Sequence, residues 1–262
     1  MDKYSRRDFL RFMGLTAASL VVPGCSNVAK LSASDEVKNK PNIIFLMADD
    51  MGYGDLGCYG ATQIPTPNID RLATQGIRFT DAHAPSALCT PTRYGVLTGR
   101  YCWRTRLKKG VIYGHSKPLI KPDRLTVPSL LKQHGYKTAC IGKWHLGFEW
   151  ALKDKRKEHK EDGTNTDYTK PVKNGPLAYG FDYFFGIAAS LDMPPYCFIE
   201  NDRTVGIPSL EKHPYNTLQK KGFMPPGWKD EKVGPTFTRK AVNFIEKNVK
   251  TRPNKPFFLY LP

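Results

Sequence analysis

The order of apolar and polar positions along the chain predicts strands that alternate with helices. The segment "KPNIIFLMADD" has a continuous apolar run at 43–48, which is typical of a strand buried on both faces. In "TPNIDRLATQGIRF", Asn68 is a candidate helix cap, Gly76 ends the helix, and "IRF" begins a new strand. "TVPSLLKQHGYKTACIG" repeats this plan, with a helix capped by Thr126 and a strand at 137–141.

The second half of the chain continues the pattern after a polar interruption. Residues 152–175 have almost no apolar content and predict a solvated loop. "TFTRKAVNFIEKNV" predicts a helix whose apolar face holds Ala241, Val242, Phe244, Ile245 and Val249. "KPFFLYLP" then predicts another buried parallel strand. The fold class is therefore α/β, with a mixed, mainly parallel sheet flanked by helices on both faces.

The first 25 residues have the pattern of an export signal. Arg6 and Arg7 precede an apolar run at 12–22 that is too short to span a bilayer, which resembles a twin-arginine signal. "VVPGC" then resembles a lipoprotein cleavage box with Cys25 as the lipidated residue, and simple cleavage stays open as the alternative. Residues 26–40 predict a polar tether. The protein is expected to use the twin-arginine machinery and to be a periplasmic protein or membrane-anchored lipoprotein of a bacterium.

Charge and cysteine content narrow the functional classes. Lys and Arg exceed Asp and Glu by 40 to 24, giving +16, which favours a polyanionic partner but also fits a soluble basic surface. Nucleic acid is disfavoured because the chain has an export signal and no nucleic-acid-binding motif. The five cysteines after Cys25 leave at least one unpaired even if one or two disulfides form.

Candidate chemistry lies where the predicted strands end, since ligands of parallel α/β sheets bind at the carboxyl ends of the strands. Asp49 and Asp50 follow the first strand and are hard oxygen ligands suited to Ca²⁺ or Mg²⁺. In "GKWHLG", Lys143 and His145 follow a later strand, and both side chains can face one side if the extended backbone continues. A lysine and a histidine on one side of the backbone are suited to binding an anion. A loop whose Trp side chain packs into the core explains the motif equally well.

A third element is the stretch "ALCTPTRYGVLTGRY". Thr90 is a candidate helix cap, Pro91 fits the first helical position, and Gly99 ends the helix, which places Cys89 at its positive end. Arg93, one turn further on, carries a planar fork suited to sulfate or phosphate oxygens. These residues predict an anion site next to a thiol.

Taken together, the motifs resemble the formylglycine-dependent, arylsulfatase-like sulfatases of the alkaline phosphatase superfamily. "CTPTRYGVLTGR" is similar to their signature, in which a maturation enzyme converts the cysteine to formylglycine; "ADD" and "GKWHLG" match in order. The resemblance runs from about residue 41 to 262. Because further calcium ligands and a Lys and His at the leaving group normally come later in the chain, it implies that 41–262 is the first part of a catalytic domain.

The resemblance also implies residue roles. Asp49, Asp50 and the formylglycine at Cys89 would hold Ca²⁺, while Arg93 and Lys143 would stabilise the sulfate's negative charge. His145 would take a proton, and its unperturbed pKa suits that work near neutral pH. Ser190 would hydrogen-bond the nucleophile, although a loop serine is an equally good interpretation. His83, His115 and His134 are interpreted as surface or packing residues.

The implied activity is hydrolysis of sulfate esters, and the charge favours a sulfated glycan as substrate. One alternative is a phosphatase or phosphonate hydrolase of the same superfamily, which usually has Thr or Ser where Cys89 stands. A second is an exported, non-catalytic glycan-binding relic in which Cys89 is never matured.

Overall fold

The computed structural model describes residues 40–262, which belong to one compact unit, Val37–Pro262. The predicted export signal, Cys25 and all but the last residue of the tether lie outside the described residues. Within residues 40–262, none of the helices combines the length and the apolar character needed to cross a bilayer.

A six-stranded sheet organises the described part of the chain, in the order β1-β8-β2-β3-β4-β5. Its strands are β1 (Ile43–Leu46), β2 (Lys137–Lys143), β3 (Tyr183–Ile187), β4 (Ile199–Glu200), β5 (Arg203–Thr204) and β8 (Phe257–Leu261). The first four in spatial order are parallel, and β4 and β5 are antiparallel additions. A separate hairpin joins β6 (Leu210–Lys212) to β7 (Gly222–Met224). The predicted mixed, mainly parallel sheet is confirmed.

Helices lie on both faces of this sheet, as predicted. The α-helices are α1 (Pro67–Gln75), α2 (Cys89–Thr98), α3 (Val127–Gln133) and α4 (Val233–Thr251). Short 3₁₀ turns occupy Tyr53–Asp55, Gly57–Tyr59, Cys102–Arg104, Pro176–Tyr179 and Asp230–Lys232. One core cluster contains Leu97 of α2 together with Trp144 and Phe184, and the other joins Ala241 and Phe244 of α4 to the opposite face of the sheet.

Local sequence signals explain where these helices begin and end. The Thr126 hydroxyl caps α3 by accepting from the Ser129 N–H at 3.3 Å. Gly99 ends α2 in the left-handed conformation that glycine adopts without strain, with φ of 64°. In α4, Ala241 and Phe244 are buried, but Val242 and Val249 are 45% and 53% exposed, so the predicted apolar face was too wide.

Two other local predictions were wrong. The helix α1 begins at Pro67, so Asn68 lies within it and is not its cap; the residue before the helix, Thr66, donates to Asp70 and accepts from the Gly57 N–H. The "IRF" segment forms no strand, and its Ile77 and Phe79 side chains are exposed. At the start of α1, the contacts of Thr66 override the local pattern. At "IRF", the side chains lack a surface to pack against, so the apolar pattern does not produce a strand.

The strand β1 is shorter and more exposed than its apolar sequence predicts. It ends at Leu46, and Ile44 and Leu46 are 50% and 66% exposed. Among the described strands only β8 pairs with it, through Ile43 opposite Phe258 and the residues that follow. The apolar run therefore predicted that a strand is present, but it did not predict how many strands pair with it.

The polar segment 152–175 is also less solvated than predicted. Tyr168 and Val172 are buried in the core, and Thr166 is fully buried. His115 Nδ1 donates to the Glu161 carbonyl oxygen at 3.0 Å, and its Nε2 accepts from the Tyr168 hydroxyl at 2.8 Å. Burial lowers the pKa of His115 to about 4, so this residue is a neutral packing histidine, while His83 and His134 are exposed.

An ion pair between the end of α3 and the start of β3 provides a test of the packing. Asp182 lies 2.8 Å from Lys132 Nζ and accepts from the Thr138 N–H at 3.1 Å. Burial would raise the pKa of Asp182, but these partners outweigh it and hold the pKa below its usual range. We expect Asp182→Asn to lower the free energy of unfolding by about 1 kcal/mol at neutral pH.

The pH dependence of that loss has a definite sign. A carboxyl whose pKa is depressed by folding contributes stability above its unfolded pKa of about 3.9, and that contribution is lost as the pH falls through the folded value. Urea unfolding of the parent and Asp182→Asn proteins between about pH 7 and about pH 3 should therefore show a difference that narrows with acidity. A difference independent of pH would assign the effect to packing alone.

Candidate active site

The site forms where β1, β2 and α2 meet. The backbone leaves β1 at Leu46, and Asp49 and Asp50 follow it. The strand β2 ends at Lys143, and α2 begins at Cys89, preceded by Leu88 in extended conformation. Strand ends and the positive end of a helix thus converge on one cleft of about 620 Å³, lined by both aspartates, Cys89 and Arg93.

Lys143 links the thiol to the first aspartate. Its Nζ donates to Asp49 Oδ2 at 2.6 Å and lies 3.2 Å from Cys89 Sγ. Lys143 is 6% exposed, so its charge acts in a partly desolvated setting. Burial would raise the pKa of Asp49, but the hydrogen bond and charge of Lys143, with those of Arg93, lower it. Asp49 is therefore ionised near neutral pH, and its carboxylate holds the Lys143 ammonium beside the Cys89 thiol.

Arg93 hydrogen-bonds both Asp49 and the backbone of Lys143 from a buried position. It is 1% exposed, and it donates through Nη1 to the Lys143 carbonyl oxygen at 2.7 Å and through Nη2 to Asp49 Oδ1 at 3.1 Å. Its Nε is buried and has no partner among the described atoms. Two of its nitrogens thus orient Asp49 and the end of β2, and its role toward a sulfate stays a prediction.

The residues Asp49, Asp50 and Cys89 form a candidate metal cluster. Each offers one ligand atom, and these atoms all lie within 4.8 Å of one another. Asp50 has φ of 59°, a left-handed conformation that is uncommon for residues other than glycine and clusters at functional sites. The two carboxylates fit a hard cation such as Ca²⁺, but a thiol does not; an oxygen at position 89 would complete a set of oxygen donors.

His145 occupies a buried position that the strand pattern did not predict. The strand β2 stops at Lys143, and His145 has φ of 55°, so the condition that the extended backbone continues to His145 is not met. His145 is fully buried; its Nε2 donates to the Ile112 carbonyl oxygen at 2.7 Å, and its Nδ1 has no partner among the described atoms. That arrangement assigns the proton to Nε2 and leaves the Nδ1 lone pair free.

The environment also changes the expected titration of His145. Burial, followed by the charge of Lys143, lowers its pKa to about 4. The expectation of an unperturbed pKa is therefore wrong. His145 is neutral near pH 7, which keeps Nδ1 available to accept a proton.

Thr90 has a role that the sequence did not reveal. Its hydroxyl does not cap α2; it donates to the His145 carbonyl oxygen at 3.1 Å and accepts from the Ile112 N–H at 3.3 Å. These two bonds attach the start of α2 to both segments that surround His145. No local signal reveals this use of the hydroxyl, because both of its hydrogen-bond partners are distant from Thr90 in sequence.

Ser190 does not line the cleft, but it lies beside a neighbouring cavity that Cys89 also borders. It is half-buried and lines, with Asp50 and Cys89, a second cavity of about 430 Å³. Asp192 lines the same cavity, and its Oδ1 is buried without a partner among the described atoms. Asp192 was not predicted as a site residue, and only its position two residues after Ser190 could have pointed to it.

All five cysteines in the described range are free thiols: Cys58, Cys89, Cys102, Cys140 and Cys197. Burial raises the pKa of the Cys140 and Cys197 thiols above the ordinary range. Cys89 is half-buried and lines the cleft, so its thiol is accessible from the cleft, whereas the thiols of Cys140 and Cys197 are enclosed in the core.

Comparison with known proteins decides the family. The model of the family named Sulfatase matches residues 41–262, which includes every residue of the cleft. The chain belongs to the sulfatase family. Its α/β fold is accordingly the alkaline phosphatase-like fold of the sulfatases.

Individual sulfatases give the extent of the similarity. The chain is 35% identical to an N-acetylgalactosamine-6-O-sulfatase of Bacteroides thetaiotaomicron, covering 96% of this chain and 53% of that protein. It is 43% identical to human steryl-sulfatase over 60% of this chain and 25% of that protein. A solved structure from a study of glycosaminoglycan metabolism by B. thetaiotaomicron superposes with a TM-score of 0.70 and 34% identity, covering 85% of this chain and 50% of that one. The chain thus spans about half or less of these sulfatases.

Proposed function

We propose that this protein hydrolyses sulfate esters with a nucleophile made from Cys89. The observation that carries the proposal is the position of Cys89 Sγ, 3.2 Å from Lys143 Nζ and within 4.8 Å of ligand atoms on Asp49 and Asp50. A reacting atom at this place has a cation beside it and two carboxylates that suit a divalent cation. Membership of the sulfatase family supports the same chemistry.

The proposal includes conversion of Cys89 to formylglycine by a maturation enzyme, and Ca²⁺ as the metal. Hydrated formylglycine supplies an oxygen nucleophile, and bound Ca²⁺ supplies positive charge for the sulfate oxygens and lowers the pKa of that nucleophile. The oxygen also meets the preference of Ca²⁺ for oxygen ligands, which the unmodified thiol does not. Asp49 and Asp50 are the residues that would hold the metal.

The chain's own side chains then divide the remaining work. Lys143 places its ammonium against the nucleophilic position and stabilises negative charge that develops on the sulfate. Arg93 fixes Asp49 and Lys143 through two hydrogen bonds. His145 offers the free Nδ1 lone pair as a proton acceptor, and Ser190 offers a hydroxyl in the second cavity, which Cys89 also lines.

The proposed substrate is a sulfated glycan. The net charge of +16 provides a long-range attraction for a polyanion. One similar protein is named for N-acetylgalactosamine-6-O-sulfate, and a similar solved structure comes from work on glycosaminoglycan metabolism, both of which support this class. Export by the twin-arginine machinery, with a periplasmic or lipid-anchored location, belongs to the same proposal and would place the protein where such polymers arrive.

Two measurements test the proposal. Mass spectrometry of the peptide that contains Cys89, from protein made in its native host, should show an aldehyde in place of the thiol. Release of inorganic sulfate from a panel of sulfated mono- and oligosaccharides, compared with phosphate release from matched phosphate esters, should favour sulfate. An unmodified thiol with no sulfate release would contradict the mechanism, and a preference for phosphate esters would assign the phosphatase activity instead.

A further inference from the structure

A pocket rich in positive charge lies at the end of α2 remote from Cys89. Six cationic residues line it: Arg100, Arg104, Arg106, Lys117, Lys121 and Arg124. Its volume is about 470 Å³. It shares no lining residue with the cleft or with the cavity at Ser190. Its lining includes Tyr94 in the middle of α2 and Arg100 just beyond the C-terminal end of that helix, and it does not include Cys89.

The charge of this cationic pocket is not neutralised by the protein. No Asp or Glu lines it, and within residues 40–262 none lies at ion-pair distance from any of the six cations. Outside the lining, Glu149 accepts a hydrogen bond at 2.6 Å from Nδ2 of Asn174, which is itself a lining residue. Since six like charges in one concavity repel each other, a bound anion would offset an unfavourable field.

The cations differ in their freedom to bind a ligand. Arg106 donates to the backbone oxygens of Lys117 and Pro118, so it shapes the pocket. The side chains of Arg104, Lys117 and Lys121 make no hydrogen bond to an acid among the described residues, and all three are exposed. Arg124 Nε is a buried donor that has no partner in the described protein. The pocket therefore presents several unsatisfied donors around one opening.

The floor of the pocket is apolar. Tyr94, Leu119, Ile120 and Tyr179 line it from the core, and the Tyr179 hydroxyl is already used in a bond to the Ile120 carbonyl oxygen at 2.8 Å. An apolar floor with a cationic rim fits a ligand that has C–H faces and charged substituents at its edge. A sulfated sugar has both, whereas a bilayer surface would need a flat or protruding patch.

We infer that the cationic pocket is an accessory binding site for sulfated oligosaccharide, separate from the cleft that contains Cys89. The inference rests on the proposed function for the choice of a sulfated glycan over other polyanions. The site would hold one part of a long chain while another part reaches the cleft. Binding at two places on one chain raises the effective concentration of the polymer at the cleft.

The test uses three exposed cations of the pocket and three matched ones elsewhere. The pocket variant is Arg104→Gln/Lys117→Gln/Lys121→Gln. The control is Arg239→Gln/Lys247→Gln/Lys250→Gln, which removes one Arg and two Lys from the exposed side of α4, where they form no ion pair within the described range. Both variants have the same net charge, so a difference between them reports location and not total charge.

Binding is measured by fluorescence anisotropy with a labelled chondroitin 6-sulfate oligosaccharide, in the Cys89→Ala background so that the probe is not consumed. We expect the pocket variant to raise Kd about tenfold and the control to change it by less than about twofold. Equal weakening by both variants would overturn the inference, as would unchanged binding. In a competition experiment, the inference would also be overturned if unlabelled single-stranded DNA of equal charge displaced the labelled glycan as effectively as unlabelled glycan does. That result would show that the pocket binds polyanions in general.

A kinetic measurement separates this inference from the proposed function. With Cys89 intact, the pocket variant should keep its rate on a small aryl sulfate and show a higher KM for the oligosaccharide alone. If no sulfate ester is hydrolysed by any version, the proposed function fails while the binding result still decides the pocket. If hydrolysis of both substrates is normal in the pocket variant, the accessory site is wrong and the activity stands.

Discussion

Replacing Cys89 by alanine is expected to lower kcat for sulfate ester hydrolysis by about ten-thousand-fold or more, because the methyl group can form no nucleophile. The fold should be unaffected. Cys89 is half-buried at the first position of α2, and its one side-chain hydrogen bond within the described residues is with Lys143, which Asp49 continues to hold at 2.6 Å. Sulfate release measures the first effect, and thermal unfolding followed by circular dichroism measures the second.

The control for this prediction is Cys58→Ala. Cys58 is also a half-buried free thiol, but it lies in a 3₁₀ turn away from the cleft, and its observed contacts are made by its backbone N–H and carbonyl groups. Both variants remove one thiol, so only a specific role of Cys89 separates them. Comparable activity in the two proteins would mean that Cys89 is not the source of the nucleophile.

The meeting of these groups in one cleft follows from sequence reasoning about strand ends. Apolar runs located β1, β2 and β8, and parallel strands place their carboxyl ends at one edge of a sheet. That rule brings Asp49 and Lys143 to the same place, and the structure joins them at 2.6 Å. The roles assigned to these residues remain predictions.

Other features depend on tertiary contacts that no local pattern encodes. Thr90 was interpreted as a cap, yet its hydroxyl bonds to backbone groups of Ile112 and His145, which are distant in sequence. The free Nδ1 of His145 depends on its burial and on its left-handed backbone. The exposure of β1 depends on which strands pair with it, and sequence hydrophobicity does not report pairing.

Replacing Gly147 by alanine is expected to lower the free energy of unfolding by about 3 kcal/mol and the Tm by roughly 6 to 12 °C. Gly147 closes the "GKWHLG" motif with φ of 85°, where an L side chain is strained. A β-carbon there would overlap the Lys117 carbonyl oxygen and lie 2.9 Å from that of Ser116. The Gly147 carbonyl also accepts from Trp144 Nε1 at 2.9 Å, so the strain reaches the fully buried Trp144 and His145.

Gly135→Ala is the control that separates backbone strain from steric overlap. Gly135 has nearly the same φ, 86°, but a β-carbon there would meet no atom within 4 Å. Its expected loss is therefore only the strain of the left-handed conformation, about 1 kcal/mol. Urea unfolding of the two variants beside the parent gives the difference, which we attribute to the approach of the 116–117 backbone. Equal losses would show that this approach relaxes at little cost, and that the second glycine of the motif is required for its backbone conformation alone.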